Sequence, residues 1–242
     1  MKFQNIYKMK YNEIKLSIIK KIRDIYFLLR FGRGKFFLQY IYTYFSHLIF
    51  KKKYLFDLKN TNFSNKWFYQ NISYINFFFK DKKENINKIL EIGSFEGQSA
   101  LFFLKYFINA RITCVDIWQN QNQNYKNIDF NDVEKNFDKN LEKFQERIFK
   151  FRGSSNSFFE KNSVKDFDLI FVDGSHYIDD VYQDAINSFE NLKINGYILF
   201  DDYLFKYKSK INSHPLFAIN KFLIKYKKKI KIIAIYRQVL VK

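Results

Sequence analysis

Two acid-tipped apolar runs hold the residue types that could do chemistry. They are Asp168-Leu169-Ile170-Phe171-Val172-Asp173-Gly174-Ser175-His176 and Tyr197-Ile198-Leu199-Phe200-Asp201-Asp202. If each run is a buried strand, Asp173, Asp201 and Asp202 stand at neighbouring strand ends. Like charges so placed repel unless they are protonated or bridged by a cation. An oxygen-only set of this kind suits Mg²⁺ or another hard divalent ion as a metal site. The competing role is structural, with one or two of the aspartates capping helices or accepting from loop N–H groups. Asp173 and His176 are the candidate catalytic residues. A neutral imidazole three positions beyond the acid could take a proton from a hydroxyl near pH 7.

A second constellation lies upstream, in Asn87-Lys88-Ile89-Leu90-Glu91-Ile92-Gly93-Ser94-Phe95-Glu96-Gly97-Gln98-Ser99. Glu91 interrupts an apolar run where a core strand has no use for a charge. Strand, glycine loop and helix in this order bring backbone N–H groups and a helix N-terminus up to a ligand. Gly93 and Gly97 would keep side chains out of its way. The next β-rich run, Arg111 to Val115, ends in Asp116. An acid about 20 residues or slightly more past such a loop can take both hydroxyls of a ribose. Ser154 and Ser155, after a third strand, could edge an adenine ring. The candidate cofactor-binding residues are therefore Glu91, Gly93, Ser94, Gly97, Ser99, Asp116, Ser154 and Ser155. Phe95 occupies the place of the middle glycine in G-x-G-x-x-G, which counts against a pyrophosphate and so against NAD.

These residues need elements to position them. Helices are predicted over Asn62–Lys80, Ser99–Phe107, Asp132–Arg147, from about Asp179, and over Pro215–Lys227 after a loop holding His214. Strands are predicted at Ile89–Ile92, Arg111–Val115, Ile148–Phe151, Leu169–Val172 and Tyr197–Phe200, with Lys193-Ile194-Asn195-Gly196 as a helix stop. The runs Lys231–Ile235 and Gln238–Val241 read as a closing hairpin. In a parallel sheet Glu91, Asp116, Asp173, Asp201 and Asp202 all converge on the carboxyl edge. The amide-rich run from Trp118 to Tyr125 reads as a mobile lid or as compositional drift.

Charge is uneven. Residues 1–86 hold 18 Lys/Arg against 5 Asp/Glu, whereas the rest hold 24 against 19. That asymmetry fits an anionic membrane surface or RNA as partner. A coding bias toward Lys, Asn, Ile, Phe and Tyr would produce it as well, and Arg, the better phosphate fork, occurs only seven times. Residues 1–61 read as a basic helical extension, with Ile14, Ile18, Ile22, Ile25 and Leu29 at helical spacing and a break at Gly32 and Gly34. Phe36 to Phe50 is uncharged and aromatic, yet too short and polar to span a bilayer. It could pack on the catalytic domain, form a homodimer face or lie in a membrane interface, and His47 within it reads as a partly buried histidine. One cysteine, Cys114, and no apolar leader point to a cytoplasmic protein, or one peripheral to a membrane.

Taken together, Leu90-Glu91-Ile92-Gly93-Ser94-Phe95-Glu96-Gly97, Val115-Asp116-Ile117-Trp118, Phe171-Val172-Asp173-Gly174-Ser175-His176 and Phe200-Asp201-Asp202-Tyr203 resemble class I S-adenosylmethionine-dependent methyltransferases. The similarity is to the small bacterial group related to macrolide-sugar O-methyltransferases and, more distantly, to catechol O-methyltransferase. It covers residues 62–242. It implies a Rossmann-like α/β sheet, mostly parallel with an antiparallel last strand, behind the N-terminal extension. It also implies S-adenosylmethionine as cofactor and O-methylation of a small molecule or sugar. Mg²⁺ or another divalent cation would sit on Asp173, Asp201 and Asp202. Two positions depart from the catechol enzyme: His176 stands where it has a lysine base, and Asp202 where it has an asparagine ligand. The rivals are a NAD-type oxidoreductase and a non-enzymatic nucleic-acid- or membrane-binding protein on a degenerate nucleotide fold.

Overall fold

The structure is a computed structural model of the 242-residue chain. It describes residues 22, 25–26, 29, 34–39, 41–42, 45, 61–119, 129–162, 165–205, 214–235 and 237–242. Seven strands form one sheet in the order β3-β2-β1-β4-β5-β7-β6. They are β1 (Lys88–Ile92), β2 (Arg111–Asp116), β3 (Ile148–Arg152), β4 (Phe167–Val172), β5 (Leu192–Phe200), β6 (Ile232–Ile235) and β7 (Val239–Val241). The first five run parallel, while β7 pairs antiparallel with both β5 and β6. β4 is buried throughout and β1 in all but its first residue, which is why both read as unbroken apolar runs.

Helices α1 (Ile72–Phe79), α2 (Gln98–Tyr106), α3 (Phe130–Leu141), α4 (Ser155–Lys161), α5 (Ile178–Asn191) and α6 (Pro215–Lys225) complete the domain. Local chemistry starts and stops them. Asp129 caps α3 by accepting from Asn131 N at 2.9 Å, and Ser154 caps α4 by accepting from Ser157 N at 3.1 Å. Pro215 opens α6 at a position where no N–H is missed. Arg147 satisfies carbonyls at the end of α2, donating to Leu104 O at 2.7 Å and Phe107 O at 3.3 Å.

Three sequence expectations need correction. Asn62–Lys80 is not one helix: residues 61–67 are irregular, Phe68–Gln70 is a 3₁₀ turn and only Ile72–Phe79 is α-helical. The run from Lys193 to Gly196 belongs to β5, with Asn195 at φ 66° relieving the register shift against β4. Asp132–Arg147 divides into α3 and a 3₁₀ stretch from Glu142 to Arg147. Of the extension, Phe36 is buried, and Ile25 and Ile41 pack against the core. Ile22 and Leu29, at the same helical spacing as Ile25, are 62% and 61% exposed. Ile14, Ile18 and His47 lie outside the described residues.

Candidate active site

The sheet's hydrogen bonds bring the predicted acids together. At the carboxyl edge, Gly93 N donates to Val115 O at 2.8 Å, Asp173 N to Ile92 O at 2.8 Å, and Asp201 N to Val172 O at 2.9 Å. Gly153 N donates to Asp116 O at 2.9 Å, so the β3 end, with Ser154 and Ser155 beyond it, adjoins the Asp116 tip. Five strand ends therefore share one edge, where an open α/β sheet binds ligands.

On the β1–β2 side, Glu91 is fully buried beneath the glycine loop. Burial raises its carboxyl to about 7, against the lowering influence of Ser94, Ser99 and Cys114. No hydrogen bond of full geometry reaches either Glu91 oxygen, so we rank burial as the deciding effect. Ser94, Gly97 and Ser99 are buried as well, so among the predicted cofactor residues Gly93, Asp116 and the two serines after β3 are the ones at least partly exposed. Asp116 Oδ2 accepts from Phe95 N and Oδ1 from Trp118 N, both at 2.8 Å. Burial raises its pKa, and these N–H groups pull it back.

Gly93 (φ 90°) and Gly97 (φ 80°) are required by the protein's own packing. A Cβ on Gly93 would stand 2.1 Å from Asp173 O, and one on Gly97 would stand 2.8 Å from Leu141 Cδ1. The glycines thus let β1 and β4 ends close up and seat α3 on the loop; the Cβ directions point into protein rather than toward a ligand. Phe95 (φ 48°) and Trp118 (φ 44°) adopt the left-handed region without being glycine. Trp118, whose side chain is buried, fixes the loop by donating from Nε1 to Phe95 O at 2.9 Å.

On the β4–β5 side, a cleft is lined by Asp173, Ser175, His176, Asp201, Asp202 and Ile219. His176 Nε2 lies 2.6 Å from Asp202 Oδ2, and the ring rests against Phe205 with centroids 4.6 Å apart. Asp202, at φ 52°, holds a strained backbone at this point. Asp173 is pushed well above the usual carboxylate range, first by burial and then by Asp201 and Asp202. Asp201 rises to about 7, by burial and by Asp202. Both Asp201 oxygens already accept: Oδ2 from Asn71 Nδ2 at 2.5 Å and Oδ1 from Asp202 N at 2.8 Å. Among the described residues, no three His, Cys, Asp or Glu side chains converge in a geometry that could hold a metal ion. The donor chemistry suits a hard cation, but the arrangement does not make a ready three-ligand site. The predicted metal set of Asp173, Asp201 and Asp202 is brought to one place and partly committed to protein hydrogen bonds.

Sequence reasoning missed Asn71, Glu96 and Trp118, which act across 20 positions or more. An acid directly before Gly97 in a ligand loop was the one visible signal.

The sheet is parallel through its first five strands and closed by an antiparallel hairpin, with acids at the β1, β2, β4 and β5 ends facing one edge. Residues 90–203 match a family described as a methyltransferase domain, a segment running from β1 to just past Asp201-Asp202. The matched segment makes residues 90–203 similar to that methyltransferase domain, and it carries the four acid-bearing strand ends of the sheet described above. Among similar solved structures is the O-methyltransferase TomG from Streptomyces achromogenes, in complex with S-adenosylmethionine. It is 13% identical, with 77% of this chain and 83% of that one covered and a TM-score of 0.53. The methyltransferase PaMTH1 from Podospora anserina, bound to S-adenosylhomocysteine, is 16% identical over 83% and 87% of the two chains, at a TM-score of 0.52. MycE of the mycinamycin biosynthetic pathway, in complex with Mg, S-adenosylhomocysteine and mycinamycin VI, is 17% identical at a TM-score of 0.53. There 74% of this chain covers 50% of that one. At such identities the likeness is one of fold. No curated protein matches the chain by sequence.

Proposed function

We propose that the chain transfers the methyl group of S-adenosylmethionine to a hydroxyl of a small molecule or sugar. The observation that carries this reading is the His176–Asp202 pair at 2.6 Å, beside Asp173 and on the same sheet edge as Asp116. An accessible acid next to Ser154 and Ser155 fits the diol and base of a nucleoside. Bound there, S-adenosylmethionine supplies an electrophilic methyl group. The chain's own task is to align the acceptor oxygen behind that carbon and remove its proton. With Nε2–H donating to Asp202, Nδ1 of His176 is the basic nitrogen. It takes the hydroxyl proton as the oxygen–methyl bond forms and the sulfur–methyl bond breaks, the electron pair leaving with S-adenosylhomocysteine. Asp202 holds the ring and stabilises the imidazolium. Phe205 shields the ring from water. His176→Ala should lower turnover by roughly 10²–10⁴, the usual worth of a positioned base. An unchanged rate and pH profile would dismiss His176 from the role.

A divalent ion is the second reading, favoured by the burial and, after it, the mutual repulsion that raise Asp173 and Asp201. Asp173, Asp202 and Asp201 would be its holders, and it would supply Lewis acidity to the acceptor oxygen. Full activity in chelator without added metal would remove this reading and leave the acids as acceptor-binding groups. For residues 1–61 we favour a homodimer face over lipid or RNA, because the exposed side chains Leu38, Tyr42 and Phe45 recur at helical spacing.

A further inference from the structure

Glu96, in the glycine loop, is 2% exposed, a costly place for a carboxylate. It is engaged from two sides. Ser64 N and Ser64 Oγ donate to Oε2 at 2.6 and 3.0 Å, and Asn136 Nδ2 donates to Oε1 at 2.9 Å. Asn140 Nδ2 donates to the Glu96 carbonyl at 3.0 Å. Around this acid the irregular segment 62–67, with Phe68 at the start of the 3₁₀ turn, lies as a strap across the loop. Asn62 Nδ2 donates to Asn136 Oδ1 at 2.9 Å, and Asn62 N to Asn140 Oδ1 at 2.8 Å. One turn on, Phe68 N donates to Gln98 Oε1 at 2.9 Å, and Trp67 rests on Phe95 with ring centroids 5.3 Å apart.

The donors reaching Glu96 are neutral N–H and O–H groups, three of them on two oxygens. Only an acceptor-only group satisfies all three, since a glutamine would turn an NH₂ toward one of them. Glu96 itself directly follows Phe95, whose N–H orients Asp116 and whose carbonyl is fixed by Trp118. Strap, α3 and cofactor loop are thus joined through one buried carboxylate, next to the acid that would take the ribose.

We propose that Glu96 is a positioning residue for the cofactor: it clasps the strap and α3 to the glycine loop and so holds Phe95 and Asp116 in the nucleoside-binding geometry. The proposal rests on the methyltransferase reading. The network offers a swap that separates a hydrogen-bonding role from a charge role. In Glu96→Gln combined with Asn136→Asp, the new amide donates to the new carboxylate, Ser64 still has an acceptor, and net charge is unchanged. Asn62 also keeps its acceptor.

The test is calorimetric titration of the full chain with S-adenosylhomocysteine, beside acrylamide quenching of tryptophan fluorescence. Of the two tryptophans, Trp67 is 51% exposed and Trp118 is 2% exposed, so quenching reads the strap without any ligand. Glu96→Gln and Asn136→Asp should each weaken binding by about tenfold or more and raise quenching, as expected for a lost buried hydrogen bond to a charged group. The double variant should return to within about threefold of wild type. Ser64→Ala, on the exposed strap, should fold normally and weaken binding by only a few-fold. Single variants that bind like wild type would overturn the proposal, as would a stable double variant that fails to recover. Wild type that ignores S-adenosylhomocysteine, while quenching follows the swap, would instead overturn the methyltransferase reading and the cofactor role with it.

Discussion

Replacing Asp184 with asparagine should change how stability depends on pH. Asp184, on α5, is 3% exposed, and its carboxyl is raised from 3.8 to about 7. Burial is the main cause, opposed by a hydrogen bond with Ser155 and aided by nearby Asp180. The unfolded chain would release this proton near the usual carboxylate range and the folded chain near 7. Between those values the folded state binds more protons, so stability is fully present below about pH 4 and is lost as pH rises through 7. A rise of about 3 units at about 1.4 kcal/mol each gives a loss of about 4 kcal/mol, an order-of-magnitude figure. Asparagine has no proton to lose. The stability of Asp184→Asn relative to wild type should therefore climb by a few kcal/mol from pH 4 to pH 8. Urea denaturation at several pH values measures it directly. Glu91 and Asp201 slope the same way, but they are common to both proteins and cancel in the difference. A difference that stays constant across this window would refute the reasoning.

Two further outcomes follow from the geometry. Gly93→Ala should destabilise the fold by more than about 3 kcal/mol in denaturation, because the added carbon would meet a backbone carbonyl that cannot step aside. Deleting residues 1–61 should lower the sedimenting mass from dimer to monomer. Unchanged mass with loss of salt-sensitive retention on anionic vesicles would move the extension's role to a lipid surface.

Much of the fold was legible because its signals are local. The strands β1, β2 and β4 are short apolar runs bounded by charge or glycine, and their acids fall at one edge by topology alone. The strap was misread because Trp67, Phe68, Ile72, Ile75 and Phe79 continue a helical spacing through it. What sets its backbone is hydrogen bonding to Glu96 and Gln98, about 30 positions away. The short α4 passed unnoticed, as only Phe158 in its seven residues is buried. Gly93 and Gly97 were read as ligand clearance, whereas contacts with Asp173 and Leu141 require them. His176 was legible as a base candidate, but its partner lies 26 residues on and no spacing rule pairs them.

The central claim is that the β1–β2 edge binds the S-adenosyl nucleoside. Calorimetric titration of wild type and Asp116→Ala with S-adenosylhomocysteine, and separately with NAD, tests it most directly. Wild type should bind S-adenosylhomocysteine, and Asp116→Ala should weaken that binding by about 1–3 kcal/mol through lost charge-assisted hydrogen bonds. Tight NAD binding with no response to S-adenosylhomocysteine would contradict the account.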